Sequence, residues 1–283
     1  MNNKKAILIA GFGTTHMDAL KNSILRVVSK VKEEFKEYDV FMAFTAHKVI
    51  KVLKNKYDLN ILTVEEAIED LLNRGYEEAI VQPLHIIPGE EFDYIKGVCD
   101  VNRYRFKRLF LGRPILYYQG INELPSDYSL FIDTIKKEFE GEESVILFGH
   151  GTLHPSNSAY GMLQTVLFYK GYNNVYATTV EGYPSVSDTL KLFKDKKIKK
   201  TKLIPLFLVC GDHAKNDMVL NEDSLKNRLI NAGVDVSVDL SGLGENDEFV
   251  NLYIERIKDT IKGNYQNVGK TKKFDYSDYL IEK

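Results

Sequence analysis

Short apolar, β-branched runs alternate with segments of helical periodicity from one end of the chain to the other. The strand-like runs are AILIA (6–10), YDVFMAF (38–44), EAIVQPLHII (78–87), FKRLFLG (106–112), SVILF (144–148), NVYATTV (174–180), TKLIPLFLV (201–209) and DVSVDL (235–240). Between them Leu20, Ile24, Val28, Val31 and Phe35 recur at the spacing of one helix face, as do Val250, Ile254, Ile257 and Ile261. Thr63 and Glu66 have the spacing of a capping box, and Gly75, Gly171 and Gly233 stand where helices should stop. Such alternation predicts right-handed βαβ units, hence largely parallel sheets covered by helices on both faces.

The pattern also occurs twice. ILIAGFGTTH (7–16) and ILFGHGTLH (146–154) both place Gly-x-Gly-Thr-x-His after a strand. Further along, IVQPLHIIPGEEFD (80–93) and KLIPLFLVCGDHAKND (202–217) share Pro-Leu, an apolar run, and Gly followed by an acidic residue. The expected fold is therefore α/β: two similar four-stranded, mainly parallel sheets flanked by helices and related by internal duplication. The halves should comprise residues 1–125 and 126–263, meeting near 120–143 with SDYSLFIDTIKKEF as a bridging helix. Residues 264–283 lose clear periodicity and are expected to form a tail whose tyrosines could dock on the body.

Composition narrows the class. The chain has 283 residues, with 44% hydrophobic, 28% charged and a net charge of -2, which suits a globular protein and gives no general attraction to nucleic acid or acidic membranes. The basic run at 194–202 falls where a helix ends, so it is expected to be a solvated face favoured by the helix dipole. Cys99 and Cys210 are far apart, which argues against a disulfide framework and fits a reducing cytoplasm. The apolar run after Lys4 and Lys5 stops at Gly11 without a small-residue cleavage pattern, so it is expected to be a first strand. No apolar stretch approaches the ~18 residues a membrane span needs.

Ligands of open parallel sheets collect beyond the carboxyl ends of the strands. His150, Glu181 and His213 follow three consecutive strands of the second half, delivering imidazole, carboxylate and imidazole to one edge. That set suits a divalent first-row metal such as zinc, cobalt, nickel or iron. Aligning the halves puts Phe12 opposite His150 and Glu91 opposite His213, so the polar chemistry is concentrated in the second half. Each residue also has a structural alternative. His150 could bond a loop carbonyl, although its flanking glycines point to close approach by a ligand or by backbone. Glu181 could cap the helix beginning in YPSVSD, and His213 could close a turn with Asp212. His16 and His154 match each other and are expected to anchor loops, His85 to be a satisfied core histidine near a strand end, and Cys210 a small buried apolar residue. GFGTTHMD lacks the third glycine of a dinucleotide fingerprint and the lysine of a P-loop, and no serine nucleophile elbow occurs.

Taken in order, FGTTH, FTAHKVI, VQPLHIIPGEEF, GHGTLH, VEGYP, PLFLVCGDHAKNDM and SGLGEN resemble the anaerobic sirohydrochlorin cobaltochelatases, class II tetrapyrrole chelatases, from about residue 5 to 262. The resemblance implies two similar α/β domains with a tetrapyrrole cleft between them. It places the family's metal-site residues on His150, Glu181 and His213. It departs from the family at Gly182, where a larger polar residue is common, at Pro88, and at Cys210, where alanine is usual and a thiolate would favour softer ions.

The resemblance implies insertion of Co²⁺ into sirohydrochlorin in anaerobic cobalamin synthesis, releasing two pyrrole protons without redox cofactor or nucleotide. His150 and His213 would hold the metal, one of the two, with His150 favoured, would also accept a pyrrole proton, and Glu181 would coordinate, orient an imidazole or relay protons. Ligands of these types bind metal only when deprotonated, so activity should fall below roughly pH 6. Iron or nickel chelation, a non-catalytic metal or tetrapyrrole carrier, and an unrelated sugar- or nucleotide-binding protein are the alternatives. A homo-oligomer is possible.

Overall fold

The computed structural model describes residues 4–120, 123–211, 215–265 and 268. Among them are two four-stranded sheets in which every strand pair is parallel. The first contains β1 (Lys5–Gly11), β2 (Asp39–Phe44), β3 (Glu78–Pro83) and β4 (Arg108–Leu111) in the order β2-β1-β3-β4. The second contains β5 (Val145–Gly149), β6 (Val175–Thr179), β7 (Lys200–Pro205) and β8 (Asp235–Val238) in the order β6-β5-β7-β8. One topology is thus used twice, as the repeated sequence pattern predicts.

Several strand-like runs are longer in sequence than in the structure, two of them by four residues at the carboxyl end. Those at 78–87 and 201–209 end as strands at Pro83 and Pro205. A proline has no N–H for the ladder. One residue on, Leu84 and Leu206 each donate a last bond, to Ala10 O at 2.8 Å and Phe148 O at 2.7 Å. The following apolar residues then form loops at the carboxyl edge of the sheets.

The connecting helices are α1 (17–34, with a π-turn over Leu20–Ile24), α2 (His47–Tyr57), α3 (Val64–Asn73), α4 (Glu90–Asn102), α5 (Asp127–Ile135), α6 (Ser158–Tyr169), α7 (Val186–Lys196), α8 (Leu225–Asn231) and α9 (Asp247–Lys262). The Thr63–Glu66 capping box starts α3, and Gly75, Gly171 and Gly233 take positive φ where chains leave helices. Lys194 and Lys196 lie in the exposed last turn of α7, where the helix dipole favours them.

Strand alternation divides the core. Ala6, Leu8 and Ala10 of β1 face α3 and α4, and Ile146 and Phe148 of β5 face α7 and α8. Ile7 and Ile9 of β1 and Val145 and Leu147 of β5 enter a single inner cluster with α1, α5, α6 and α9, so the two sheets share one continuous apolar layer. No helix among the described residues is long and apolar enough to cross a membrane.

The last helix joins the halves. α9 packs on α1, α5 and β3, and Tyr253 Oη donates to Leu84 O at 2.8 Å. Arg113 donates to both carboxylate oxygens of buried Asp127 at 3.0 Å, and Arg256 of α9 reaches Asp127 Oδ1 at 2.9 Å. Burial would drive an isolated charge out, and this pairing compensates it. Tyr265, in the stretch expected to be a tail, stacks on Tyr118 with ring centroids 5.2 Å apart and lies under the Arg113 guanidinium at 3.6 Å. Residues 266–267 and 269–283 lie outside the described residues.

Candidate functional site

The carboxyl edges of the two sheets are built from matching loops. Gly13 and Gly151 have φ of 92° and 78°, conformations favoured by glycine. In both halves the histidine N–H then donates to the threonine two residues earlier, His16 to Thr14 Oγ1 at 3.2 Å and His154 to Thr152 Oγ1 at 3.0 Å. Ala46 N–H donates to Phe12 O at 3.3 Å as Glu181 N–H donates to His150 O at 2.7 Å. Phe12 and Ala46 of the first half therefore occupy the places of His150 and Glu181. The duplicated backbone is the same, and the second half alone of this pair bears the ionisable groups.

His150 is exposed at the end of β5. Its flanking glycines are explained by the protein itself. A Cβ at position 149 would lie 2.5 Å from the Tyr160 ring, and one at 151 would lie 2.6 Å from Glu181 O. His150 does bond a loop carbonyl, with Nδ1 3.0 Å from Gly151 O. A carbonyl oxygen only accepts, so Nδ1 carries the proton and the Nε2 lone pair is left available. Backbone bonding of one ring nitrogen is also the usual way to orient a metal-binding imidazole. The loop-carbonyl alternative and the ligand role are thus compatible.

Glu181 is exposed, and its carboxylate has no hydrogen-bond partner among the described residues. It does not cap the following helix. Ser185 accepts the Asp188 N–H and Asp188 returns a bond to Ser185 N–H, which fills that role. Asn157 ties the two site loops together, accepting from Thr152 N–H at 3.2 Å and donating to Tyr183 O at 2.8 Å. Its amide oxygen occupies the space that a side chain at Gly182 would need, which accounts for glycine at that position.

His213 lies outside the described residues. On either side of it, Lys215 N–H donates to Gly211 O at 3.0 Å, as Asp93 N–H donates to Gly89 O at 3.0 Å in the first half. Among the described residues no three His, Cys, Asp or Glu side chains converge as a metal cluster.

Sequence reasoning missed Glu90. It opens α4 in the first half, yet Thr152 of the His150 loop donates Oγ1–H to its carboxylate, 2.8 Å from each oxygen. A backbone hydrogen bond at its own amide, then Thr152, then the nearby imidazoles of His154 and His150 hold its carboxyl below the usual range. Glu90 is thus an anion beside His150 that joins the edges of the two sheets. The signal available was Pro-Gly-Glu-Glu before a helix, where acidic residues also serve the helix dipole.

The remaining candidates take structural places. His154 Nδ1 accepts Ser156 N–H at 3.1 Å, so Nε2–H points to Asp93 Oδ2 at 3.2 Å, anchoring the loop as expected. His16 stands at the matching turn. Cys210 is buried, as expected for a small apolar residue, and burial pushes its thiol up to about 11. His85 corrects the expectation of a satisfied core histidine. Both ring nitrogens are shielded without a partner among the described residues, and burial pulls its pKa down to about 4. Its counterpart is Phe207: Ile115 N–H donates to His85 O as Leu243 N–H donates to Phe207 O, so an imidazole occupies the place of an aromatic ring.

Comparison with known proteins agrees with this architecture. The sirohydrochlorin cobaltochelatase of Salmonella typhimurium is 31% identical over 258 residues, covering 90% of this chain and 95% of that one. The sirohydrochlorin cobaltochelatase CbiKC of Nitratidesulfovibrio vulgaris is 29% identical over 263 residues, covering 90% and 89%. The fold matches the sirohydrochlorin chelatase SirB of Bacillus subtilis subspecies spizizenii in complex with cobalt, with TM-score 0.60 and 17% identity over 92% of this chain and 96% of that one. The family model for cobalt chelatase (CbiK) spans residues 5–262, and by that match this chain belongs to the cobalt chelatase family.

Proposed function

We propose that this chelatase inserts Co²⁺ into sirohydrochlorin at the carboxyl edge of the second sheet, releasing two pyrrole protons in anaerobic cobalamin synthesis. The observation that supports it most is the Nδ1–H bond of His150 to Gly151 O, which leaves an exposed Nε2 lone pair on a loop bonded to that of Glu181, whose carboxylate has no hydrogen-bond partner among the described residues. His150 and His213 are assigned as metal ligands. A hydrated ion must shed waters before it meets four ring nitrogens, so few protein ligands and open coordination positions favour transfer.

Two protons leave the pyrrole nitrogens as the metal enters. Glu181 and Glu90 are both carboxylates near His150, and Glu90 is held ionised. They are assigned to receive protons from the imidazole and pass them to solvent. Glu90 also favours a cation at His150 by charge, although its hydrogen bond to Thr152 keeps it oriented toward the loop.

The test is the visible absorption of metal-free sirohydrochlorin with excess Co²⁺ and a small amount of protein. Multiple-turnover conversion by wild type, lost in His150→Ala and His213→Ala, is the expected result. Stoichiometric binding without faster insertion would make the protein a carrier instead. Faster insertion of Fe²⁺ or Ni²⁺ than of Co²⁺ would reassign the metal.

A further inference from the structure

The backbone bonds that align the two halves also locate an addition. Phe44 N–H donates to Leu62 O as Thr179 N–H donates to Pro184 O, both at the end of the second strand of a sheet. Between these points the second half has only residues 180–183, the loop bearing Glu181, whereas the first half has 45–61 and the whole of α2. An addition at the carboxyl edge of a parallel sheet lies where ligands bind.

Helix α2 is exposed along most of its length, burying only Leu53, and carries Lys48, Lys51, Lys54 and Lys56 with no acidic residue between His47 and Tyr57. In a chain of net charge -2 this is a local concentration of positive charge. It does not face a flat surface. A cavity of about 430 Å³ separates α2 from the segment entering α3, and His47, Lys51, Lys54, Asn55 and Asn60 line it. Lys54 is engaged by Asp58 at 2.7 Å, whereas Lys51 has no ion-pair partner among the described residues. The one carboxylate in the lining, Glu66, accepts the Thr63 N–H at 2.9 Å in the α3 capping box.

We propose that this cavity anchors peripheral carboxylates of the tetrapyrrole, with Lys51 as the principal charge and His47, Asn55 and Asn60 as hydrogen-bond donors. The inference rests on sirohydrochlorin, a polycarboxylate, being the substrate. His47 directly follows Ala46, the counterpart of Glu181 and bonded to Phe12 O, so the lining of the cavity begins at the carboxyl edge of the first sheet. Charged donors here would grip the rim of the macrocycle while the second half acts at its centre. Lys51 is a positioning residue and takes no part in metal transfer.

The test titrates metal-free sirohydrochlorin, followed by absorption, into wild type, Lys51→Glu, Lys51→Arg and Lys199→Glu, and measures KM and kcat for each. Lys199 precedes β7 at the opposite edge of the second sheet and controls for overall charge. Lys51→Glu should weaken binding and raise KM about five- to tenfold with kcat within about twofold, as expected for reversing one exposed charge contact. Lys51→Arg should stay within about twofold of wild type, Lys199→Glu should match it, and high salt should narrow the gap between wild type and Lys51→Glu. Equal binding by Lys51→Glu and wild type, or equal weakening by Lys51→Glu and Lys199→Glu, would overturn the anchor. The chelatase reading fails separately: a wild type that binds pigment with the expected Lys51 dependence but never turns over leaves the anchor standing.

Discussion

Glu181 donates its backbone N–H to the carbonyl oxygen of His150 at 2.7 Å. The bond is possible because Gly151, with φ of 78°, lets the Glu181 carbonyl pass where any Cβ would sit. The backbone segments that carry the imidazole and the carboxylate are therefore held against each other.

Gly151→Ala tests that coupling. The new methyl meets Glu181 O at 2.6 Å and Thr179 Cβ at 2.8 Å in a backbone conformation that alanine disfavours. A stability loss of about 1–3 kcal/mol is expected. Insertion activity should fall by more than tenfold at temperatures where the variant is folded, as read by circular dichroism alongside the absorption assay.

Thr152→Val removes the hydroxyl that donates to Glu90 and accepts from His154 N–H. The two side chains have the same shape, so the substitution removes the hydroxyl's two hydrogen bonds without opening a cavity. The loss of a charge-assisted bond at an exposed edge should cost about 1 kcal/mol and reduce kcat several-fold. Steady-state kinetics with denaturant unfolding separates the two effects.

Asp127→Ala leaves Arg113 and fully buried Arg256 without the carboxylate they share. Breaking a buried pair from one side costs about 3–5 kcal/mol. Urea denaturation should show that loss, and the folded fraction should keep its kcat because the network touches no group at the candidate site.

His85 gives the fold a pH dependence of defined sign. Burial holds it at about 4, below the ordinary histidine value near 6.5. Between those values the unfolded chain binds a proton that the folded chain does not, so stability from this group is full above about pH 6.5 and falls as pH drops toward 4. His85→Phe, which copies Phe207 of the second half, should remove a slope of at most about 1.4 kcal/mol per pH unit. Unfolding free energies of the two proteins from pH 4 to 7 would measure it; parallel curves would show that His85 is not the source.

The strands and their duplication were legible because fully buried parallel strands leave dense apolar runs, here closed by glycine and proline at known places. The repeated Gly-x-Gly-Thr-x-His reported a shared loop, down to the N–H of His16 and His154 bonding Thr14 and Thr152. Less was legible where long-range contacts set the outcome. The apolar stripe through Val250, Ile254 and Ile257 continues in sequence to Ile261, which is 42% exposed, while Arg256 between them is fully buried. Its burial depends on Asp127, far away in the chain. Glu90 belongs to the candidate site only because Thr152 of the other half reaches it. Helix α2 is a weaker signal: Val49, Ile50 and Leu53 form its one short apolar face, and only Leu53 is fully buried.

The measurement that bears most directly on the site is a Co²⁺ titration without tetrapyrrole, following the visible absorption of the bound ion in wild type and in His150→Ala. If the Nε2 lone pair of His150 holds the metal, the variant should bind Co²⁺ at least about tenfold more weakly and with an altered spectrum. Equal affinity and the same spectrum in both proteins would place the metal elsewhere and contradict the assignment of His150.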